Sequence, residues 1–297
     1  MTPNLFNPYR YAVAGGQGLA WVFGGTGGTS DNYGYNGSSW DTLANYPASV
    51  SQGLGGGGAD SGISMGGGYS NTSYIYTGAS DSWGSNIGLS YSAGYLGGGG
   101  LSTNAIAFGG TSTGSNEQST TAEYLGSSWS NVGNLPSTMM HTTGNGDSDL
   151  AIQVAGAFTG HVKTDISATW DGSSNAWSSS TVYPLAVNVN SYAGTVDDGV
   201  GWCGHDGSPY GSVDDSFTLS GTTWTTTGNY PVDAYGTARA GADESQAIGE
   251  GGEISKSGGA LATDACYLYD GASNTWGALG ANLPVARYTA MGDGEVV

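Results

Sequence analysis

The chain has 297 residues, 56 of them glycine, 19 tyrosine and nine tryptophan, and its five Lys and Arg face 24 Asp and Glu for a net charge of −19. Glycine at nearly one residue in five without a Gly-X-Y register excludes collagen, and the aromatic content excludes a disordered Gly/Ser linker. Five scattered cations exclude sequence-independent binding to nucleic acid, no apolar run reaches the ~18 residues of a membrane helix, and Cys203 and Cys266 are no disulfide framework for this length.

Met1 to Pro8 has neither the basic n-region nor the apolar h-region of a secretion signal. A first strand candidate runs from Tyr11 to Gly15. A second, Trp21-Val22-Phe23, ends in Gly24-Gly25. Next comes Tyr35-Asn-Gly-Ser-Ser-Trp40, two short strands around a Gly-bearing turn. The same order recurs five times: Gly66-Gly67 with Tyr76 and Trp83, Gly109-Gly110 with Tyr124 and Trp129, Ala155-Gly156 with Trp170 and Trp177, Cys203-Gly204 with Leu219 and Trp224, and Gly251-Gly252 with Tyr269 and Trp276. Before each small pair, apolar residues alternate as in a strand with one buried face, for example Ile63 and Met65 or Ile106 and Phe108; Glu250 breaks the column in the sixth copy.

With strands a to d in each copy, the small pair ends b, the Tyr lies on c and the Trp opens d. Counting along the sequence from each Trp to the next small pair gives 26, 26, 26, 26 and 27. The count from a pair to its own Trp is 16, 17, 20, 22, 21 and 25. Length variation is therefore concentrated in the b–c loop, and antiparallel strands put b–c loops and d–a connections on one face. Loops that vary in length over a fixed scaffold carry function, so that face is the candidate binding face. After Trp276 the chain offers only one further strand a, around Leu283 to Gly292.

A tandem unit of ~50 residues with an apolar strand, a diglycine, a Tyr and a Trp resembles the kelch repeat. The resemblance implies an all-β, six-bladed β-propeller with four-stranded antiparallel blades, the C-terminal strand closing the first blade; a seven-bladed ring with an incomplete last blade is the alternative. Residues 1–12 are then a docking arm, and 13–297 a single propeller domain. If the C-terminus instead pairs with a neighbouring subunit, the chain forms a homo-oligomer.

The candidate site follows from the scarce positive groups. Lys163 and Lys256 fall in the b–c loops of copies 4 and 6, His161 and His205 in or beside those of copies 4 and 5, and Arg239 and Arg287 where strand a begins, on the same face. Asp206, Tyr210 and Asp214 complete a polar recognition surface for a glycan or a protein. No catalytic residue and no metal site is expected. Some kelch-type propellers resemble galactose oxidase, whose copper needs two imidazoles and a Cys-modified Tyr; no His pair here has ligand spacing, and His141 reads as an ordinary strand residue. Asp171 and Asp270 read as turn formers rather than calcium ligands. No cofactor is expected.

The short Asn-Gly-Ser-Ser-Trp turns, the Leu-Pro before strand a and the Ala-Ile-Ala-Phe-Gly-Gly strand are similar to Gly-rich kelch-like arrays of marine bacteriophage virion and tail-fibre proteins. That resemblance implies a non-enzymatic virion structural or attachment protein, made in the host cytoplasm and then extracellular. Its partners are other virion proteins or a host surface glycan or protein, with no nucleic acid and no membrane insertion. The alternatives are a glycan-active kelch-type enzyme and an extracellular bacterial adhesin or matrix protein.

Overall fold

The repeated Tyr and Trp face each other directly: Tyr35 pairs Trp40, Tyr76 pairs Trp83, Tyr124 pairs Trp129, Trp170 pairs Trp177, Leu219 pairs Trp224 and Tyr269 pairs Trp276. Such directly opposed large side chains stabilise a hairpin. These hairpins are the outer halves of six four-stranded antiparallel sheets. The computed structural model describes residues 5–6, 20–25, 28–113, 116–207, 211–243, 246–256, 259–288, 291–293 and 295–296. Among these there is no α-helix, only a 3₁₀ turn at Gly78–Ser80.

After β1 (Leu5–Phe6), the first blade contains β2 (Trp21–Phe23), β3 (Asn32–Tyr35) and β4 (Trp40–Thr42). The second is β5 (Leu54–Gly58), β6 (Ser61–Met65), β7 (Ile75–Thr77) and β8 (Ser82–Trp83). The third is β9 (Gly97–Leu101), β10 (Asn104–Phe108), β11 (Thr121–Tyr124) and β12 (Trp129–Asn131). The fourth is β13 (Thr143–Gly146), β14 (Leu150–Phe158), β15 (Val162–Asp171) and β16 (Ala176–Ser179). The fifth is β17 (Ser191–Gly194), β18 (Asp198–Trp202), β19 (Ser216–Ser220) and β20 (Thr223–Thr226). The sixth is β21 (Ala238–Asp243), β22 (Gln246–Glu250), β25 (Cys266–Asp270) and β26 (Thr275–Ala278), with β23 (Glu253–Lys256) and β24 (Gly259–Ala262) as a hairpin in its b–c loop. The chain ends in β27 (Met291–Asp293) and β28 (Glu295–Val296).

The inner strands β27, β5, β9, β13, β17 and β21 adjoin one another in that cyclic order, so the molecule is a six-bladed propeller. The ring closes as the sequence predicts, with β27 pairing β2 as the inner strand of the first blade; the seven-bladed alternative falls away. The candidate strand Tyr11 to Gly15 lies outside the described residues. So does most of the 1–12 arm, except that β1 pairs β28 antiparallel, Leu5 opposite Val296.

The small pairs do the same work in every blade. Their first residue is left-handed (φ 65, 61, 64, 52, 58 and 64° at Gly24, Gly66, Gly109, Ala155, Cys203 and Gly251), and their second also has positive φ, from 85 to 135°. That second residue donates its N–H to a carbonyl of the following d–a connection: Gly25 to Val50 (2.9 Å), Gly67 to Ala93 (2.8 Å), Gly110 to Met139 (2.8 Å), Gly156 to Val187 (2.9 Å), Gly204 to Ala234 (3.0 Å) and Gly252 to Arg287 (2.8 Å). The backbone turn therefore stitches each blade to the next. A side chain has no room at the tightest of these sites, where a Cβ on Gly24 would lie 2.5 Å from Val50 O.

The Trp residues add a second inter-blade tie. Trp129 Nε1 donates to Ser73 Oγ (3.0 Å), Trp177 Nε1 to Thr121 Oγ1 (2.9 Å) and Trp276 Nε1 to Ser216 Oγ (3.0 Å), each in the preceding blade. Aromatic clusters such as Trp21, Phe23, Tyr46, Tyr76 and Trp83 fill the space between blades. Glycine-rich inner strands permit the crowding at the axis: a Cβ on Gly56 would meet Gly100 O at 2.5 Å.

Candidate functional site

The d–a connections of blades 2 to 6 each place one residue in left-handed backbone at the mouth of the central channel: Gln52 (φ 64°), Tyr95 (57°), His141 (52°), Val189 (53°) and Gly236 (62°). Their amides link around the mouth, Tyr95 N–H to Gln52 O (2.6 Å), Val189 N–H to His141 O (3.0 Å) and Gly236 N–H to Val189 O (2.9 Å). A β-branched residue at positive φ is an outlier that costs on the order of 1–3 kcal/mol and is retained where the surroundings over-determine it. All five residues line one cavity with Thr143, Asn190 and Arg239, and about 70 Å³ of it is open to water-sized groups.

Arg239 forms the floor. From β21 its guanidinium reaches across the axis to blades 3 and 4, with Nη2 donating to Gly98 O and Gly144 O (2.9 Å each) and Nη1 to Thr143 Oγ1 (3.2 Å). It is 8% exposed, and its Nε finds no acceptor among the described residues. No carboxylate there lies within ion-pair distance of it; the ion pair that is present belongs to Arg287. Asn190 is 6% exposed, and neither its Oδ1 nor its Nδ2 has a hydrogen-bond partner among the described residues.

The rim gathers the histidines. His141 stacks edge-on against Tyr95 (centroids 4.0 Å), lies 5.7 Å from the His161 ring and shares a 3.0 Å hydrogen bond between Nδ1 and the Asn188 amide. Burial, reinforced by His161, Lys163 and His205, pushes its pKa down to about 4, so at neutral pH it is uncharged. His205 accepts the Gly207 N–H on Nδ1 (3.0 Å) and sits edge-on to Tyr235 (5.3 Å). Burial and then Lys163 lower its pKa. The Lys163 ammonium lies beside Gly207, where a methyl group would meet Nζ at 3.2 Å. Tyr235 Oη donates to Glu253 Oε1. Burial raises the Tyr95 pKa to about 12, with Tyr69, Tyr288 and Glu253 adding to the effect.

The structure thus brings together His161, Lys163, His205 and Arg239 of the residues singled out from sequence, with Asp206 exposed next to His205. Lys256 lies on β23 of the blade 6 hairpin, and Tyr210 lies outside the described residues. Asp214 stands apart at the entry to β19, where it and Asp233 raise the pKa of Asp215 after burial. Arg287 serves the closure. It donates to Gly24 O (2.7 Å), pairs with Asp31 (3.5 Å) and lies over the Tyr33 ring (4.9 Å). His141, read from sequence as an ordinary strand residue, precedes β13 and stands in the mouth. Asn188, Asn190, Tyr95 and Glu253 are further mouth residues the sequence reading missed. A signal existed: Gln52, Tyr95, His141, Val189 and Gly236 each lie 12 residues after a repeated Trp.

No group of three or more His, Cys, Asp or Glu among the described residues could hold a metal ion. Cys203 and Cys266 are buried and unpaired by disulfide, and burial raises both thiols well out of the reactive range.

The fold is that of a six-bladed β-propeller, with a polar cavity at the channel mouth. Among solved structures, one described as "Structure of YjhT" aligns with a TM-score of 0.69 at 14% identity, covering 84% of this chain and 88% of that one. At that identity the likeness concerns the fold. No protein-family model and no curated protein matches the chain.

Proposed function

We propose that the chain is a kelch-type propeller that acts by binding, without catalysis, as a structural or attachment protein of a bacteriophage virion, and that the channel-mouth face recognises a host surface glycan or a neighbouring virion protein. The supporting observation is the gathering of scarce basic residues on that face: in a chain of net charge −19, Lys163 and Arg239, with the imidazoles of His161 and His205, stand within or around one cavity. The phage setting is supported by the resemblance of the turns and strands to phage-encoded arrays.

Mass spectrometry of purified virions tests the setting, and absence of the protein sinks it. Glycan-array binding tests the face. Loss of binding in the Lys163→Ala, Lys256→Ala double variant is expected, and unchanged affinity removes the face from consideration. A second reading, a glycan-active enzyme, is favoured by one arrangement: His205, its pKa lowered by burial, beside Tyr235 and its Glu253 partner, which resembles an acid–base set. Product formation that His205→Ala abolishes would replace binding by catalysis.

A further inference from the structure

We infer that the floor of the channel mouth is an oxyanion site, occupied by a carboxylate, sulfate or phosphate group of the ligand that the proposed binding face recognises. The inference rests on that reading of the face and names the chemistry it selects.

Arg239 is a buried cation whose acceptors in the described protein are two carbonyls and a hydroxyl, and whose Nε is unused. A buried charge without an ion-pair partner is expensive, and no carboxylate among the described residues lies within ion-pair distance of Arg239. The planar guanidinium keeps a donor edge suited to an oxyanion. Asn190 supplies the second, independent observation. Both polar atoms of its amide lack hydrogen-bond partners among the described residues although the side chain is more than nine-tenths buried and lines the same cavity. Buried amides in folded proteins are nearly always bonded, so Nδ2 is placed for an anionic oxygen and Oδ1 for a hydroxyl beside it. Lys163 on the rim, with no ion-pair partner among the described residues, adds long-range attraction for the same sign of charge.

The test is titration calorimetry of the full chain with acetate, sulfate and inorganic phosphate at constant ionic strength in chloride, and with galacturonate against galactose. Saturable binding of at least one oxyanion is expected, with galacturonate bound and galactose not. Asn190→Ala, which breaks no bond within the protein, should keep its melting temperature and weaken that binding about tenfold or more, the worth of one charge-assisted hydrogen bond. Arg239→Gln should abolish it, but also removes three bonds across the channel, so Asn190→Ala decides. No saturable heat with any oxyanion, equal binding of galactose, or unchanged affinity in Asn190→Ala overturns the oxyanion site. If glycan-array binding survives that failure, the binding face stands without it; if the array is also blank, both fall.

Discussion

Gly66 and Ala155 occupy the same position in blades 2 and 4, the first residue of the small pair, and exchanging their identities separates backbone strain from packing. Gly66 has φ 61°, and a Cβ there would stand 2.7 Å from Ala93 O and 2.7 Å from a Leu96 methyl. The Leu96 side chain can swing away, but Ala93 O cannot, because it accepts the Gly67 N–H at 2.8 Å. Gly66→Ala therefore carries about 1–2 kcal/mol of left-handed backbone strain and weakens a bond worth ~1 kcal/mol. The expected loss is roughly 2–3 kcal/mol, seen as a lowered urea midpoint by tryptophan fluorescence. Ala155 already bears the left-handed strain at φ 52° and is fully buried. In Ala155→Gly, relief of that strain offsets the lost methyl burial (~0.8 kcal/mol) and the greater freedom of the unfolded glycine (~0.5–1 kcal/mol), so the variant should stay within about 1 kcal/mol of the parent. A Gly66→Ala protein as stable as the parent, or an Ala155→Gly protein less stable than Gly66→Ala, would falsify the account of the small pair as a strained stitch between blades.

Arg287→Met removes the 2.7 Å bond to Gly24 O, the contact over Tyr33 and an ion pair discounted by the 41% exposure of the Asp31 side chain; about 2–4 kcal/mol of stability should go, with earlier proteolysis of the C-terminal segment, and an unchanged cleavage pattern would count against its closing role. His141 has a folded pKa of about 4 against an ordinary 6.5, so the unfolded chain binds a proton that the folded one refuses. Stability from this group is therefore intact above pH 6.5 and falls as pH drops to about 4, by roughly 3 kcal/mol; His141→Gln should flatten that part of the pH profile relative to the parent, and parallel profiles would refute it. Trp177→Phe loses the bond to Thr121 Oγ1 while keeping most of the packing, so a loss of about 1–2 kcal/mol is expected, and Thr121→Val in the same background should add little in a double-mutant cycle.

The architecture was legible because it is written as repetition at two scales. Period-two alternation gave the b strands, and the fixed count from Trp to the next small pair is the length of chain needed to leave one blade, pass the channel mouth and return along the next b strand. The inter-blade bonds explain that constancy: the carbonyls that Gly25, Gly67, Gly110, Gly156 and Gly204 reach lie ten residues after Trp40, Trp83, Trp129, Trp177 and Trp224, and the one that Gly252 reaches, Arg287 O, eleven after Trp276. An insertion there would shift the left-handed residue out of the mouth, so loop growth is confined to b–c, where blade 4 lengthens its hairpin past Gly156 and blade 6 adds β23 and β24.

The site was legible only in part, for a physical reason. Charge is visible in a sequence, so Lys163, His161, His205 and Arg239 could be found by their scarcity. A buried amide without a partner is a property of three dimensions: Asn190 reads like any loop asparagine until Arg239 from blade 6 and Thr143 from blade 4 are seen beside it. Arg287 shows the opposite error of scale, since the same charge at the same kind of position spends its guanidinium on Gly24, Asp31 and Tyr33. What separates the two arginines is the counter-charge. Arg287 has a carboxylate of its own chain and Arg239 has none among the described residues, which is why the proposed oxyanion site falls at the channel mouth and not at the closure.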